Sequence, residues 1–190
     1  MSLRDRISWG RALLLAPLLW WTVTLGSGHS TWCFLDCVNL PFHEAGHLFL
    51  RPFGRTVHLL GGALGQLLVP ALLAGWFLIR ERKPFAAAVC SWWVGQSLIN
   101  TSIYMADARS LNLPLVGGGD HDWNNLLFQF GLLTEPAVRN VSGATHLLGL
   151  LIMLAGLGWA GLFVLPEETR SRLAAAAAER RPWLGLLLDA

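Results

Sequence analysis

The 190-residue chain is 54% hydrophobic and only 14% charged, with ten Trp against one Tyr and a net charge of +2. Its mean hydropathy of +0.48 is too apolar for an ordinary soluble domain of this length. The weak positive charge, carried by thirteen Arg and one Lys, falls at helix ends rather than in a patch, which argues against a nucleic-acid partner.

In chain order, Arg4, Arg6 and Arg11 precede a first apolar stretch, residues 12–25. Gly26-Ser27-Gly28 after it would suit a cleaved leader, but the pair Trp20-Trp21 fits an interfacial belt, so a retained first helix is expected. A second segment, about 31–50, carries "LPFHEAGHLFLRPFG". Residues 57–79 follow, with His58 and Gln66 as their only strongly polar members, and then the charged turn 80–83. Residues 85–105 and 145–165 are each 21 residues without Asp, Glu, Lys or Arg, long enough to cross the roughly 30 Å of bilayer hydrocarbon as helices. None of these runs shows the alternation of barrel strands. The expected fold is therefore all-α: a polytopic helical membrane protein with about four transmembrane helices plus a short or re-entrant helix around His43. Residues 1–166 form the membrane-embedded domain. Residues 167–190, with Arg170, Arg172, Arg180 and Arg181, form a cytoplasmic basic tail with a short interfacial helix. Cys33, Cys37 and Cys90 match no disulfide framework or metal-finger spacing.

Positive charge also addresses orientation. The N-terminus, the 80–83 turn and the tail carry ten of the fourteen basic residues and should face the cytoplasm together. They can do so only if the His43 segment enters the membrane and returns without crossing. Pro41, Pro52 and Gly54 bracket it as a short, interrupted helix. Both termini are then cytoplasmic, and the His43 segment and the 107–140 connection share the external side.

His43-Glu44-Ala45-Gly46-His47 is an HExxH motif. On a helix, i and i+4 share a face, so both imidazoles can grip one Zn²⁺ while Glu44 takes a proton from water. Two buried histidines and an ion-paired glutamate would be the structural alternative, but three ionisable groups in a membrane segment are costly without a partner. A catalytic zinc needs a third ligand. His29, His58 and His146 read as loop, helix-start and interfacial residues. The "GGGDHDW" stretch offers His121 first, then Asp122 and Asp120, with an N-cap for the following helix as a compatible role. Gln96, Asn100, Tyr104 and Asp107 form one polar stripe on the fourth helix. It either joins helices by hydrogen bonds or lines the reaction cavity, where Asn100 is the first choice to meet substrate or an oxyanion.

HEAGH at 43–47, the Gly-rich "GGALGQLLVPALL" from Gly61 and "LNLPLVGGGDHDW" from Leu111 resemble the site-two protease family of intramembrane zinc metallopeptidases. The resemblance covers the central hundred or so residues. It implies zinc on His43 and His47, with Glu44 activating water. Gln66 stands where that family has Pro, and its Leu-Asp-Gly ligand segment has no counterpart here. The expected activity is hydrolysis of a peptide bond in or near the membrane, on a membrane protein or peptide. Hydrolysis of lipid amides or esters, and non-catalytic metal binding, are the alternatives. Residues 54–62, "GRTVHLLGG", would provide either an edge for an unwound peptide or the start of a helix.

Overall fold

The computed structural model describes residues 8–115 and 120–180. Arg4, Arg6, the glycines at 117–119 and Arg181 lie outside the described residues. Those described form helices and no strand: α1 (Trp9–Gly26), α2 (Phe34–Leu50), α3 (Arg55–Ile79), α4 (Pro84–Ala106), α5 (Asp122–Gln129), α6 (Glu135–Leu162) and α7 (Glu167–Arg180). The all-α expectation holds. Of the four expected spans, α3 and α6 are long and apolar enough to cross a membrane, and they alone are so among the described residues.

α1, α4 and α6 make one layer. Arg11 lies over the Phe85 ring, and Thr22 accepts a hydrogen bond from Trp92 Nε1 at 2.8 Å, so α1 and α4 run parallel. α6 runs against both: Ser8 N–H donates to the Val164 carbonyl at one end, and His146 Nε2 lies 3.3 Å from the Gly26 carbonyl at the other. Leu18, Leu25, Trp92, Ile99 and Met153 fill the centre.

α2 and α3 make a second, antiparallel layer whose spacing is set by glycine. A Cβ on Gly61 would lie 2.6 Å from the Gly46 carbonyl oxygen, and one on Gly65 would lie 2.2 Å from the Phe42 carbonyl oxygen. Side-chain-free positions let the two backbones touch, as small residues do between apolar helices.

The sequence expectation of an interrupted helix at Pro41 is corrected. α2 runs unbroken through Pro41, whose missing N–H costs only one ladder bond in a helix held on its flank by α3. The break comes after Leu50, in a 3₁₀ turn (Arg51–Phe53) that ends at Gly54 with φ 96° and ψ 168°, a backbone region that residues with a Cβ avoid. Residues 55–62 are helical, so the 54–62 stretch begins a helix and provides no strand edge.

α2 starts inside the bundle. Its N-cap Cys33 is fully buried with Leu25 and Trp92, and Asp36 Oδ2 accepts the Cys33 N–H at 2.7 Å. α1 ends beside His146, and α3 starts where Arg55 meets Asn125 of α5. α5 itself sits against Ala108 at the C-terminal end of α4. The chain between α1 and α3 thus leaves and rejoins the same end of the bundle, opposite the Arg11 end.

The apolar surface is unusually bare. Leu64, Leu68, Leu72, Trp76 and Ile79 form an exposed stripe on α3, and Leu147, Leu148, Leu151 and Leu154 are exposed on α6. Only 22% of the most apolar window of each helix is covered by the rest of the protein.

Gly61→Ala should part α2 from α3 and lower the thermal midpoint by several degrees, an overpacking cost of about 1–3 kcal/mol. Gly75→Ala, with nothing within 4 Å of the new Cβ, should not lower it, since alanine is the better helix former. Unfolding followed by tryptophan fluorescence compares the two.

Candidate metal centre

Two turns of α2 and the first residue of α5 converge on one point. His43 Nε2 and His47 Nε2 are 3.1 Å apart. Asp122 Oδ2 lies 3.3 Å from the first and 3.1 Å from the second. Donors about 2.1 Å from a shared ion stand roughly 3.4 Å apart in a tetrahedron and about 3.0 Å apart in an octahedron. The three observed edges fall in or at that interval, so His43, His47 and Asp122 can hold one metal ion.

The opposite wall supplies the room. A Cβ on Gly62 of α3 would fall 2.3 Å from His43 Nε2 and 2.6 Å from His47 Nε2. It would also fall 2.4 Å from His43 Cε1, so glycine at this position makes room for the histidine rings themselves.

Neighbouring groups fix the ligands. His47 Nδ1 faces the His58 carbonyl at 2.7 Å, and His58 Nδ1 faces the His47 carbonyl at 3.0 Å. A carbonyl only accepts, so His47 Nδ1 carries the proton and its Nε2 presents a lone pair to the centre. Asp122 donates its backbone N–H to the Tyr104 hydroxyl at 3.1 Å.

The third member is Asp122, where the sequence had ranked His121 first. His121 lies one residue away and faces elsewhere. It caps α5 by accepting the Asn124 N–H on Nδ1 at 3.2 Å, and its ring lies 4.1 Å from that of Tyr104. Its Nε2 is buried, makes no hydrogen bond and stands 3.5 Å from Asp107 Oδ2. Successive residues at a helix start point in different directions, so His121 and Asp122 cannot both reach the histidine pair. Asp120 is exposed on the cavity wall and is not part of the group.

The metal group opens into a cavity of about 770 Å³. Glu44, exposed and adjacent to His43, lines it. The α4 stripe divides. Asn100 and Tyr104 face the cavity. Gln96 is buried between helices, donating to Asp36 Oδ1 at 2.6 Å and accepting from Asn39 Nδ2 at 3.0 Å. Asp107 folds back to accept the N–H groups of Asn112 and Leu113 at 2.9 and 3.0 Å. Burial raises the Asp107 pKa, but these hydrogen bonds, Ser110 and nearby His121 outweigh it and hold the carboxyl below its usual range.

Two contributors were missed from the sequence. Asp36 lines the cavity, and it sits seven residues before His43, two turns along the same face of α2. That spacing was the available signal. Gly62 had no signal beyond its place in a Gly-rich helix.

Comparison with known protein families, curated proteins and solved structures found no match. The centre therefore has to be judged on its geometry.

Gly62→Ala should weaken metal binding, because the new methyl meets the His43 ring and pushes it from its place. Asp122→Ala should lose at least tenfold in metal affinity, whereas His121→Gln, which keeps an acceptor for the Asn124 N–H, should lose less. Metal content after dialysis against a graded chelator ranks the three.

Proposed function

We propose that this chain is a membrane-embedded zinc metallopeptidase. The observation that carries the proposal is that His43, His47 and Asp122 converge on one point while Glu44, which is not in the ligand group, faces the same cavity. Two imidazoles and a carboxylate suit several divalent ions. Glu44 favours zinc hydrolysis, since mere metal storage has no need of a base beside the ligands. The resemblance of HEAGH and its flanking segments to the site-two protease family points the same way.

The bare leucine stripes of α3 and α6 support the membrane location. Contiguous apolar surface of that extent is uncommon on a soluble monomer, and lipid would cover it. Arg11 and the 80–83 turn belong to one end of the bundle and α5 to the other. By the bias of basic residues toward the cytoplasm, the metal centre then faces the external side.

Zinc bound here would supply a Lewis acid that polarises the scissile carbonyl and acidifies water. The chain's own residues do the rest. Glu44 takes the proton from the attacking water and returns it to the leaving amine. Asn100 and Tyr104 place an amide and a hydroxyl on the cavity wall, where a developing oxyanion can be met. His58 holds the His47 ring in the tautomer the site needs.

Glu44→Gln should retain the parent's zinc content and lose about 10²–10⁴-fold in turnover, measured on transmembrane peptides and lipid amides or esters in vesicles. Cleavage of lipids alone would move the assignment to a lipid hydrolase, and undiminished turnover would make the protein non-catalytic at this site. Alkaline carbonate extraction should leave the chain in the membrane pellet; its release into the supernatant would defeat the bilayer location.

A further inference from the structure

The cavity does not end at the metal centre. It continues along α2 to Asp36, Cys37 and the residues before the helix, Thr31 and Trp32. Asp36, Leu40, His43, Glu44 and His47 follow i, i+4, i+7, i+8 and i+11, so one face of α2 is its floor.

Asp36 is anchored but not neutralised. Gln96 Nε2 donates to Oδ1 at 2.6 Å and the Cys33 N–H to Oδ2 at 2.7 Å. Asn100 also bonds the carboxyl, and together these bonds fix it on the cavity wall without supplying a positive charge. No Arg, Lys or His pairs with it among the described residues. The cavity's one described Arg, Arg55, is turned toward Asn125 at 3.3 Å. An ionisable group inside a membrane protein normally has a partner, and a cation carried by the substrate would supply one here.

We propose that Asp36 is a specificity site that takes a cationic side chain of the substrate, lysine or arginine, about three residues from the scissile bond. Seven residues of helix separate Asp36 from His43, about 10 Å. An extended peptide covers that distance in roughly three residues. Trp32, 58% exposed at the same end of the cavity, offers an aromatic face to the same cation. Charge-assisted pairing with a fixed carboxyl discriminates strongly against an uncharged side chain of equal length.

The inference rests on the metal centre, and its test reads binding rather than turnover. The probes are two peptidyl hydroxamates, which chelate zinc through the hydroxamate. One carries lysine three residues from the chelating group, and the other carries norleucine there. Their dissociation constants are measured by calorimetry on zinc-loaded parent and on Asp36→Asn, with zinc content checked in each. The lysine compound should bind the parent at least about tenfold more tightly than the norleucine compound. In Asp36→Asn that preference should vanish while the norleucine compound binds as before. Equal affinities for the parent would overturn the proposal and leave Asp36 as a cap for α2, and this comparison needs no variant to fold. If the zinc-loaded parent bound neither hydroxamate, the metal-centre proposal would itself fail and take this one with it.

Discussion

Two imidazole nitrogens and a carboxylate oxygen stand within 3.3 Å of one another, and the rest of the structure follows from that crowding. The proton on His47 is committed to the His58 carbonyl, so His47 Nε2 turns a lone pair toward His43 and Asp122. Lone pairs and a negative charge facing one another repel unless a cation lies between them. A proton can bridge one edge of the triangle, whereas a divalent ion satisfies all three. Leaving such groups unpaired away from water costs about 1–3 kcal/mol each, which is a large fraction of a domain's total stability.

Bringing the donors together is the work of the glycines on α3. A helix pair separated by ordinary side chains sits about 8–10 Å apart, which would set His43 and His47 back from α3 and from the His58 carbonyl. Gly61 and Gly65 draw α2 against α3, and Gly62 at the same level leaves room for the His43 and His47 rings. The contact that stabilises the helix pair and the space that seats the histidine rings thus come from one run of residues. Side-chain-free positions would otherwise weaken α3, since glycine is a poor helix former, but here each close approach removes the alternative of a larger residue.

Much of this was legible in the sequence because it depends on local period. The apolar runs marked α3, α4 and α6, and HExxH marked the face of α2 that carries two of the three clustered donors. The chain flanking the His43 segment leaves and rejoins one end of the bundle. What escaped was non-local. Choosing between His121 and Asp122 required knowing how the chain turns into α5, and that turn is set by Asp107 and Tyr104 on a different helix. The α4 stripe looked uniform, yet it meets three surroundings, because α2 covers Gln96, the cavity reaches Asn100 and Tyr104, and the chain folds back over Asp107. Pro41 misled for the opposite reason: a breaker in an isolated helix is tolerated when the neighbouring helix holds the segment straight.

Asp122 differs from the two histidines in what holds it. His43 and His47 belong to α2 and are backed by α3, whereas Asp122 is delivered by a hub of Tyr104, Asp107 and His121 at the end of α4. Outside the centre, the ties between these halves are few and polar at this end: Arg55 to Asn125 and Thr56 to Gln129. An ion shared by all three ligands would therefore clasp the α2–α3 layer to the α4–α5 corner. Because it binds only when the two are brought together, its binding free energy favours that arrangement over any in which they separate. The buried, unbonded Nε2 of His121 is consistent with such a corner. Its ring gives up a hydrogen bond to wedge between Tyr104 and Asp107, a local loss that the fold tolerates where it directs the next residue into the centre.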